Sequence, residues 1–148
     1  MDHLLRQKIS TRSLHVAIIG LGYVGLPLAV TFAEAGFRVT GIDIDQQKVD
    51  QANSGESYIP DISSSTLRAL IDTERLHFTS DYMPLDDVDA VSICVPTPLR
   101  KTRDPDISYI VAATQQVRTQ PRSREKSASR RSSSTSAQTR SRRRRSTV

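Results

Sequence analysis

The chain has 148 residues and a formal net charge of +5, and that charge is divided unevenly along it. Residues 1–117 carry 10 Lys and Arg against 15 Asp and Glu, whereas residues 118–148 carry 11 against 1. This length allows one domain at most. The single cysteine, Cys94, excludes an internal disulfide and gives no indication of a cysteine-based metal site.

The apolar segment 16–33 is long enough to cross a membrane. It contains three glycines and a proline, however, and no small-residue cleavage site follows an uninterrupted apolar run. We therefore expect no membrane segment and a cytoplasmic location.

After an N-terminal extension, residues 1–13, the apolar run 14–19 (LHVAII) predicts a buried parallel strand that ends at Gly20. A helical period follows and ends at Gly36. Its expected buried face comprises Val24, Leu28, Phe32 and Ala35. Residues 37–42 predict a second strand that leads to Asp43, and Asp45 is placed to cap a helix that runs to Asn53.

A short helix over 65–71, a strand over 76–79 and a strand over 90–95 are expected next. Asp104-Pro105 predicts the start of a last helix, whose expected apolar face comprises Ile107, Ile110, Val111, Thr114 and Val117. Strands that alternate with helices predict an α/β, Rossmann-like, doubly wound parallel sheet over residues 14–117, with strand order 3-2-1-4.

Residues 118–148 contain only Ala128, Ala137 and Val148 as apolar residues, which predicts a disordered tail. Three origins remain open for it: a shifted reading frame, which we favour, a basic tail that binds nucleic acid through phosphates without base specificity, or a plain solubilising extension. Because the fold would lack its fifth strand, the fourth strand becomes an exposed edge, and we expect marginal stability or aggregation.

The turn between the first strand and helix reads G-x-G-x-x-G, from Gly20 through Gly22 to Gly25. Between a strand and a helix, this spacing is typical of a dinucleotide site: the glycines allow a tight turn, close approach of the pyrophosphate and close helix packing. The alternative is a turn without a ligand. We predict that NAD contacts Gly20, Leu21, Gly22, Tyr23, Val24 and Gly25.

Asp43 ends the second strand, where a carboxylate would accept hydrogen bonds from the adenosine ribose hydroxyls. A 2′-phosphate at that position would meet like charge, reinforced by Asp45, so NAD is expected rather than NADP. The alternative is that these aspartates only cap the following helix, which suits Asp45 better than Asp43.

Five segments, GLGYVGLPLAV, GIDID, GESYI, ICVPTPL and DPDISYI, resemble in wording and order the nucleotide-sugar 6-dehydrogenases. The resemblance implies an NAD-dependent oxidoreductase that converts the C6 alcohol of a UDP-sugar to a carboxylate. It is closest to the UDP-N-acetylglucosamine/UDP-N-acetylmannosamine branch, which serves surface polysaccharide synthesis, while the UDP-glucose branch stays open. It also implies NAD contacts at Val24, Asp43, Lys48 and Thr97, and homo-oligomers for full-length members.

The family's catalytic Ser-Thr pair, glutamate, lysine and nucleophilic cysteine belong to segments that do not occur in this sequence. Cys94 lies in the predicted fourth strand, which favours a buried, inert thiol. The three histidines, His3, His15 and His77, show no pattern of a catalytic base. We therefore expect no catalytic or metal residues and no turnover from this chain alone. The alternative is a non-enzymatic nucleotide-binding protein with a basic tail.

Overall fold

The computed structural model describes residues 2–98 and 105–119. The strands are β1 (His15–Ile19), β2 (Arg38–Ile42), β3 (Leu76–Thr79) and β4 (Ala90–Ile93). The helices are α1 (Asp2–Ser10), α2 (Gly25–Glu34), α3 (Gln46–Asn53), α4 (Ser64–Asp72) and α5 (Ser108–Thr119), with a 3-10 helix at Met83–Asp87. The predicted tail from residue 120 onward lies outside the described residues.

All strand pairs are parallel and their order is β3-β2-β1-β4, which confirms the predicted Rossmann-like topology. The chain runs from β1 through α2 to β2 and on to β3 at one edge. It then crosses to the other side of β1 to form β4. The direction of winding therefore changes between β1 and β4, and open α/β sheets bind ligands outside the strand ends at such a point.

The start of α4 and the end of α2 lie where the capping residues predict them. The side chain of Ser63 caps α4 by accepting from the Thr66 backbone N–H at 3.0 Å. Gly36 follows the C-terminus of α2 with a φ of +93°, a conformation that glycine adopts without strain. These signals fix where the chain reverses and returns to the sheet.

Two apolar layers cover the sheet. The larger one joins the strands to α2, α3 and α4, and its fully buried members include Leu26, Leu67 and Phe78. The smaller one lies on the other face, where Ala17, Ile19 and Ile42 meet Leu85 and Ala113.

The predicted buried face of α2 is wrong. The helix buries Leu26, Ala29, Val30 and Ala33 instead, whereas Val24 is 67% exposed and Ala35 is exposed. Small alanines let the helix axis lie close to the strands. Leu28 and Phe32 pack only at the margin of that contact.

The N-terminal extension contains a feature that the sequence reading did not predict. It forms α1, and the ammonium group of Lys8 bonds the Asp89 carboxylate, which also accepts from the His15 backbone N–H at 3.0 Å. This contact ties α1 to the segment just before β4.

Candidate functional site

The carboxyl ends of β1, β2 and β4 meet at one edge of the sheet. Ile19 lies beside Ile42 on β2 and beside Ile93 on β4, so the next residues, Gly20, Asp43 and Cys94, all lie at that edge. A cleft of about 1080 Å³ opens there. Clefts of this size accommodate cofactor-sized molecules.

Backbone contact explains two of the glycines. A Cβ on Gly20, where φ is +93°, would lie 2.7 Å from the Cys94 carbonyl oxygen. A Cβ on Gly25 would lie 1.7 Å from the Gly20 carbonyl oxygen, well inside van der Waals contact. Glycine at position 20 lets the turn pass close to the backbone that follows β4. Glycine at position 25 lets the first residue of α2 pack against the backbone of the turn.

The remaining glycine of the pattern faces open space. A Cβ on Gly22 would meet nothing within 4 Å, and Gly22 lines the cleft. Among the described residues, the backbone N–H groups of Gly22, Tyr23 and Val24 have no hydrogen-bond acceptor. Unpaired N–H groups at the start of a helix favour an anion, so this turn fits a pyrophosphate.

Asp43 is 9% exposed, and the backbone holds its carboxylate in place. Oδ2 accepts from the Leu21 N–H at 2.7 Å and Oδ1 accepts from the Asp45 N–H at 3.0 Å. Each carboxylate oxygen has two lone pairs, so the group keeps acceptor capacity toward the cleft that it lines. This arrangement suits a pair of ribose hydroxyls.

Asp45 and Lys48 occupy the start of α3 beside the same cleft. Asp45 accepts from the Gln47 N–H at 3.1 Å and so caps the helix, as predicted. Its other oxygen lies 3.7 Å from the Lys48 ammonium nitrogen, in a partly exposed ion pair. Exposed pairs of this kind are weak, so Lys48 can exchange this partner for a ligand phosphate.

Two tyrosines also line the cleft. The Tyr58 hydroxyl donates to the Leu21 carbonyl oxygen at 2.7 Å. Burial, with the charges of Asp43 and Asp45, raises the pKa of Tyr58 far above its usual value. Burial and the Asp43 charge raise the pKa of Tyr82 as well. Both hydroxyls therefore stay protonated near neutral pH.

The prediction for Cys94 is wrong in position. Strand β4 ends at Ile93, and Cys94 is half-buried in the wall of the cleft rather than buried inside a strand. Its backbone N–H continues the ladder to Ile19 at 2.7 Å. Beyond it, Thr97 is exposed in the Pro-Thr-Pro segment and lines the cleft, where the sequence placed it.

Helix α5 closes one side of the cleft with Tyr109, Ala112, Ala113 and Gln116. It begins at Ser108, whose N–H donates to Asp106 Oδ1 at 3.0 Å, and Pro105 lies before the helix. Asp104 lies outside the described residues.

The predicted apolar face of α5 is largely wrong. Ala113 is its buried residue, whereas Ile107, Ile110 and Val111 are 55%, 38% and 46% exposed. Helix periodicity identified an apolar stripe, but the described part of the chain supplies no layer to cover it.

The structure brings most of the predicted site residues together. Seven line the cleft: Gly20, Gly22, Tyr23, Val24, Asp43, Lys48 and Thr97. Leu21 and Gly25 are buried behind its surface. Sequence reasoning missed Tyr58, Tyr82 and Ile44 as lining residues. Tyr58 lies in the GESYI segment, which the sequence analysis identified as a family motif without assigning a role to the tyrosine.

His15 lies away from the cleft and is buried. Its Nε2 is 2.9 Å from the Thr40 hydroxyl, and its Nδ1 is 2.8 Å from the Arg38 guanidinium. Burial and the Arg38 charge lower the pKa of His15. These contacts connect His15 on β1 to two residues of β2, so its role is structural.

None of the helices within residues 2–98 and 105–119 has the length and the apolar character that a membrane span needs.

Comparison with known proteins agrees with this geometry. The family model for the UDP-glucose/GDP-mannose dehydrogenase family, NAD binding domain, matches residues 14–139. The match continues beyond Val117, where the sequence reading ended the fold, and that boundary stays a prediction.

Individual relatives agree with the family match. The chain is 38% identical over 104 residues to the UDP-N-acetyl-D-mannosamine dehydrogenase of Escherichia coli K12, which is 69% of this chain and 24% of that enzyme. It superimposes on the UDP-D-ManNAc dehydrogenase of Pyrococcus horikoshii with a TM-score of 0.66 and 37% identity, over 70% of this chain and 25% of that one.

The GDP-mannose dehydrogenase of Pseudomonas aeruginosa gives a TM-score of 0.65 and 34% identity, over 69% of this chain and 24% of that one. The chain thus spans about a quarter of the length of these relatives.

Proposed function

Because this chain belongs to the UDP-glucose/GDP-mannose dehydrogenase family through its NAD-binding domain, we propose that it is the cofactor-holding portion of a UDP-sugar 6-dehydrogenase. The reaction is the oxidation of a sugar C6 alcohol to a carboxylate. The observation that carries the proposal is the Asp43 carboxylate, fixed by the Leu21 N–H at 2.7 Å beside the open face of Gly22. The Asp43 carboxylate, as acceptor for the ribose hydroxyls, thus lies next to the glycine-rich turn that would hold the pyrophosphate.

NAD supplies a hydride acceptor when it is bound. The residues of this chain bind and orient it. Asp43 accepts hydrogen bonds from the ribose hydroxyls, and the N–H groups of Gly22, Tyr23 and Val24 donate to the pyrophosphate at the positive end of α2. Lys48 and Thr97 are proposed as further contacts, because both line the cleft.

Charge at the ribose end favours NAD over NADP. Asp43 and Asp45 both line the cleft, and a 2′-phosphate bound there would lie beside two carboxylates. Like charges at short range in a half-buried site oppose binding. Among the described lining residues, Lys48 is the one cation beside these two carboxylates, so the ribose end keeps a net negative charge.

For the substrate, we propose a UDP-N-acetylhexosamine. Support comes from the motif wording in VPTPL and DPDISYI and from the names of relatives such as the Escherichia coli enzyme.

We further propose that the chain binds NAD without turning over a UDP-sugar. The cleft residues named above bind and orient a cofactor, and none of them is placed as a general base or nucleophile. Cys94 is half-buried in the wall of the cleft, where it packs against the larger apolar layer and its sulfur lies 3.7 Å from the Ser92 hydroxyl.

Calorimetric titration of the full chain tests the binding part. We expect saturable NAD binding, competition by ADP-ribose, and weaker binding of NADP. Equal affinities for NAD and NADP, or no NAD binding by a folded chain, would refute the proposed site. NADH formation from UDP-N-acetylmannosamine would instead refute the inactivity.

A further inference from the structure

The Tyr58 hydroxyl makes a contact that no part of the proposed cofactor site requires. It lies in the segment between α3 and α4, and it donates to the Leu21 carbonyl oxygen at 2.7 Å across 37 residues of sequence. Leu21 is fully buried. Without the tyrosine, that carbonyl would be left without its hydrogen-bond donor.

The Leu21 residue is held on both of its backbone polar groups. Its N–H donates to Asp43 Oδ2 at 2.7 Å, and its carbonyl accepts from Tyr58 at the same distance. The two bonds engage the peptide groups on either side of the Leu21 Cα. Together they restrain the backbone of this buried residue.

The Tyr58 hydroxyl is a constant donor to the Leu21 carbonyl oxygen. Burial raises its pKa, and the nearby Asp43 and Asp45 carboxylates raise it further. The hydroxyl thus keeps its proton wherever the protein is studied near neutral pH. Its contact with Leu21 therefore does not depend on pH in that range.

We infer that Tyr58 is a positioning residue: it fixes the Leu21 backbone, and through it the Asp43 carboxylate, and thereby sets the preference for NAD over NADP. The inference rests on the proposed placement of NAD in this cleft. Tyr58 acts through Leu21, so its loss changes where the carboxylate lies rather than removing its charge.

A purely structural role makes a different prediction. If Tyr58 only anchored the α3–α4 segment, its loss would lower the folded fraction, which weakens NAD and NADP binding by the same factor. If it positions Asp43, NAD binding weakens more than NADP binding. The ratio of the two dissociation constants separates these roles.

The test is Tyr58→Phe in the full chain, with Thr40→Val as the matched control. Thr40→Val also deletes one buried hydroxyl, which bonds His15 Nε2 at 2.9 Å away from the cleft. For Tyr58→Phe we expect NAD affinity to fall about tenfold, as for loss of one buried hydrogen bond, and the NADP-to-NAD ratio of dissociation constants to fall at least about threefold. Thr40→Val should lower the melting temperature and leave that ratio unchanged.

A Tyr58→Phe chain with the wild-type ratio would overturn the inference while leaving the cofactor site intact. Absence of NAD binding by the wild-type chain would instead overturn the proposed function, and the inference with it.

If Tyr58→Phe does not fold, Asp43→Asn tests the connection from its other end, with Asp50→Asn as the control for loss of one negative charge. If the two contacts on Leu21 support each other, the Tyr58 hydroxyl proton should exchange with water faster in Asp43→Asn than in Asp50→Asn. Equal exchange rates would contradict the inference.

Discussion

Asp43 and Leu21 are joined by a 2.7 Å hydrogen bond from a backbone N–H to a carboxylate. The bond links the end of β2 to the glycine-rich turn after β1. It places a buried negative charge beside the N–H groups that α2 leaves unpaired. The ribose end and the pyrophosphate end of the candidate site are therefore parts of one unit.

Asp43→Asn should weaken NAD binding about tenfold or more while the chain stays folded. The amide oxygen can still accept from Leu21, while the bond from the Asp45 N–H and the charge-assisted bonds to the ribose are lost. NADP should lose little affinity, because repulsion of its 2′-phosphate falls as well. Calorimetric dissociation constants give both values. Asp50→Asn, at an exposed position on α3 that bonds Gln46, is the control and should change neither.

Gly22→Ala and Gly25→Ala should fail in different ways. A Cβ at Gly22 meets nothing within 4 Å, so the apo chain should keep its melting temperature and lose about tenfold in NAD affinity, as expected when a methyl group fills ligand space. A Cβ at Gly25 lies 1.7 Å from the Gly20 carbonyl oxygen, so that variant should not fold. Circular dichroism melts with NAD titration distinguish the two. Equal melting temperatures would contradict the packing role of Gly25.

Stability should decrease as the pH falls below about 6.5. Burial and the Arg38 charge lower the pKa of His15 in the folded chain below its ordinary value of 6.5, against weaker opposing effects of Asp87 and Asp89. The unfolded chain therefore takes up the proton first, and this uptake favours unfolding. Urea unfolding at pH 8, 7, 6 and 5 measures the trend. His15→Gln should flatten it in this window; an equally steep trend in that variant would assign it to other groups.

The exposed side of α5 should cause self-association. Ile110 and Val111 are 38% and 46% exposed on one helix, and adjacent exposed apolar side chains favour association. Ile110→Lys should lower the sedimentation-derived association constant without lowering the melting temperature. Thr114→Lys adds the same charge at an exposed polar position of α5 and serves as the control. Equal association constants for Ile110→Lys and Thr114→Lys would show that net charge, not apolar contact, governs self-association.

Removal of residues 120–148 should separate the proposed cofactor site from the alternative of a basic tail that binds nucleic acid. NAD affinity should be unchanged, because the cleft is lined by residues 19–116 in the part of the chain that the structure describes. Binding to arbitrary duplex DNA, measured at two salt concentrations, should be lost with the Arg-rich segment. Loss of NAD binding on truncation would show that the tail takes part in the cofactor site.

The amino-acid sequence was sufficient to predict the four strands, their order and the Asp45 cap. These features depend on neighbouring residues: a β-branched run, a glycine at a turn, a carboxylate at a helix start. The handedness of parallel crossovers then restricts the topology. The spacing from Gly20 to Asp43 likewise located the turn and the carboxylate in advance, because each lies at the end of an adjacent strand.

The buried faces of α2 and α5 could not be obtained in this way. The spacing of apolar residues predicts which side of a helix is apolar. Whether that side is buried depends on which helix or strand packs against it. In α2 the close approach of the axis favours Ala29 and Ala33, and in α5 Ala113 is buried while Val117 packs at the margin of the same layer. The half-buried position of Cys94 depends on where β4 ends, at Ile93, just before the chain enters the wall of the cleft.

The sequence by itself therefore determined the glycine-rich turn, the strand-end Asp43 and, through five motifs in order, the family resemblance. Only the tertiary structure decided that Leu21 connects Tyr58 to Asp43, because residues 37 positions apart were brought within 2.7 Å by the return of the chain after α3. Local chemistry specifies which groups a site has. Packing between distant segments specifies how firmly those groups are held.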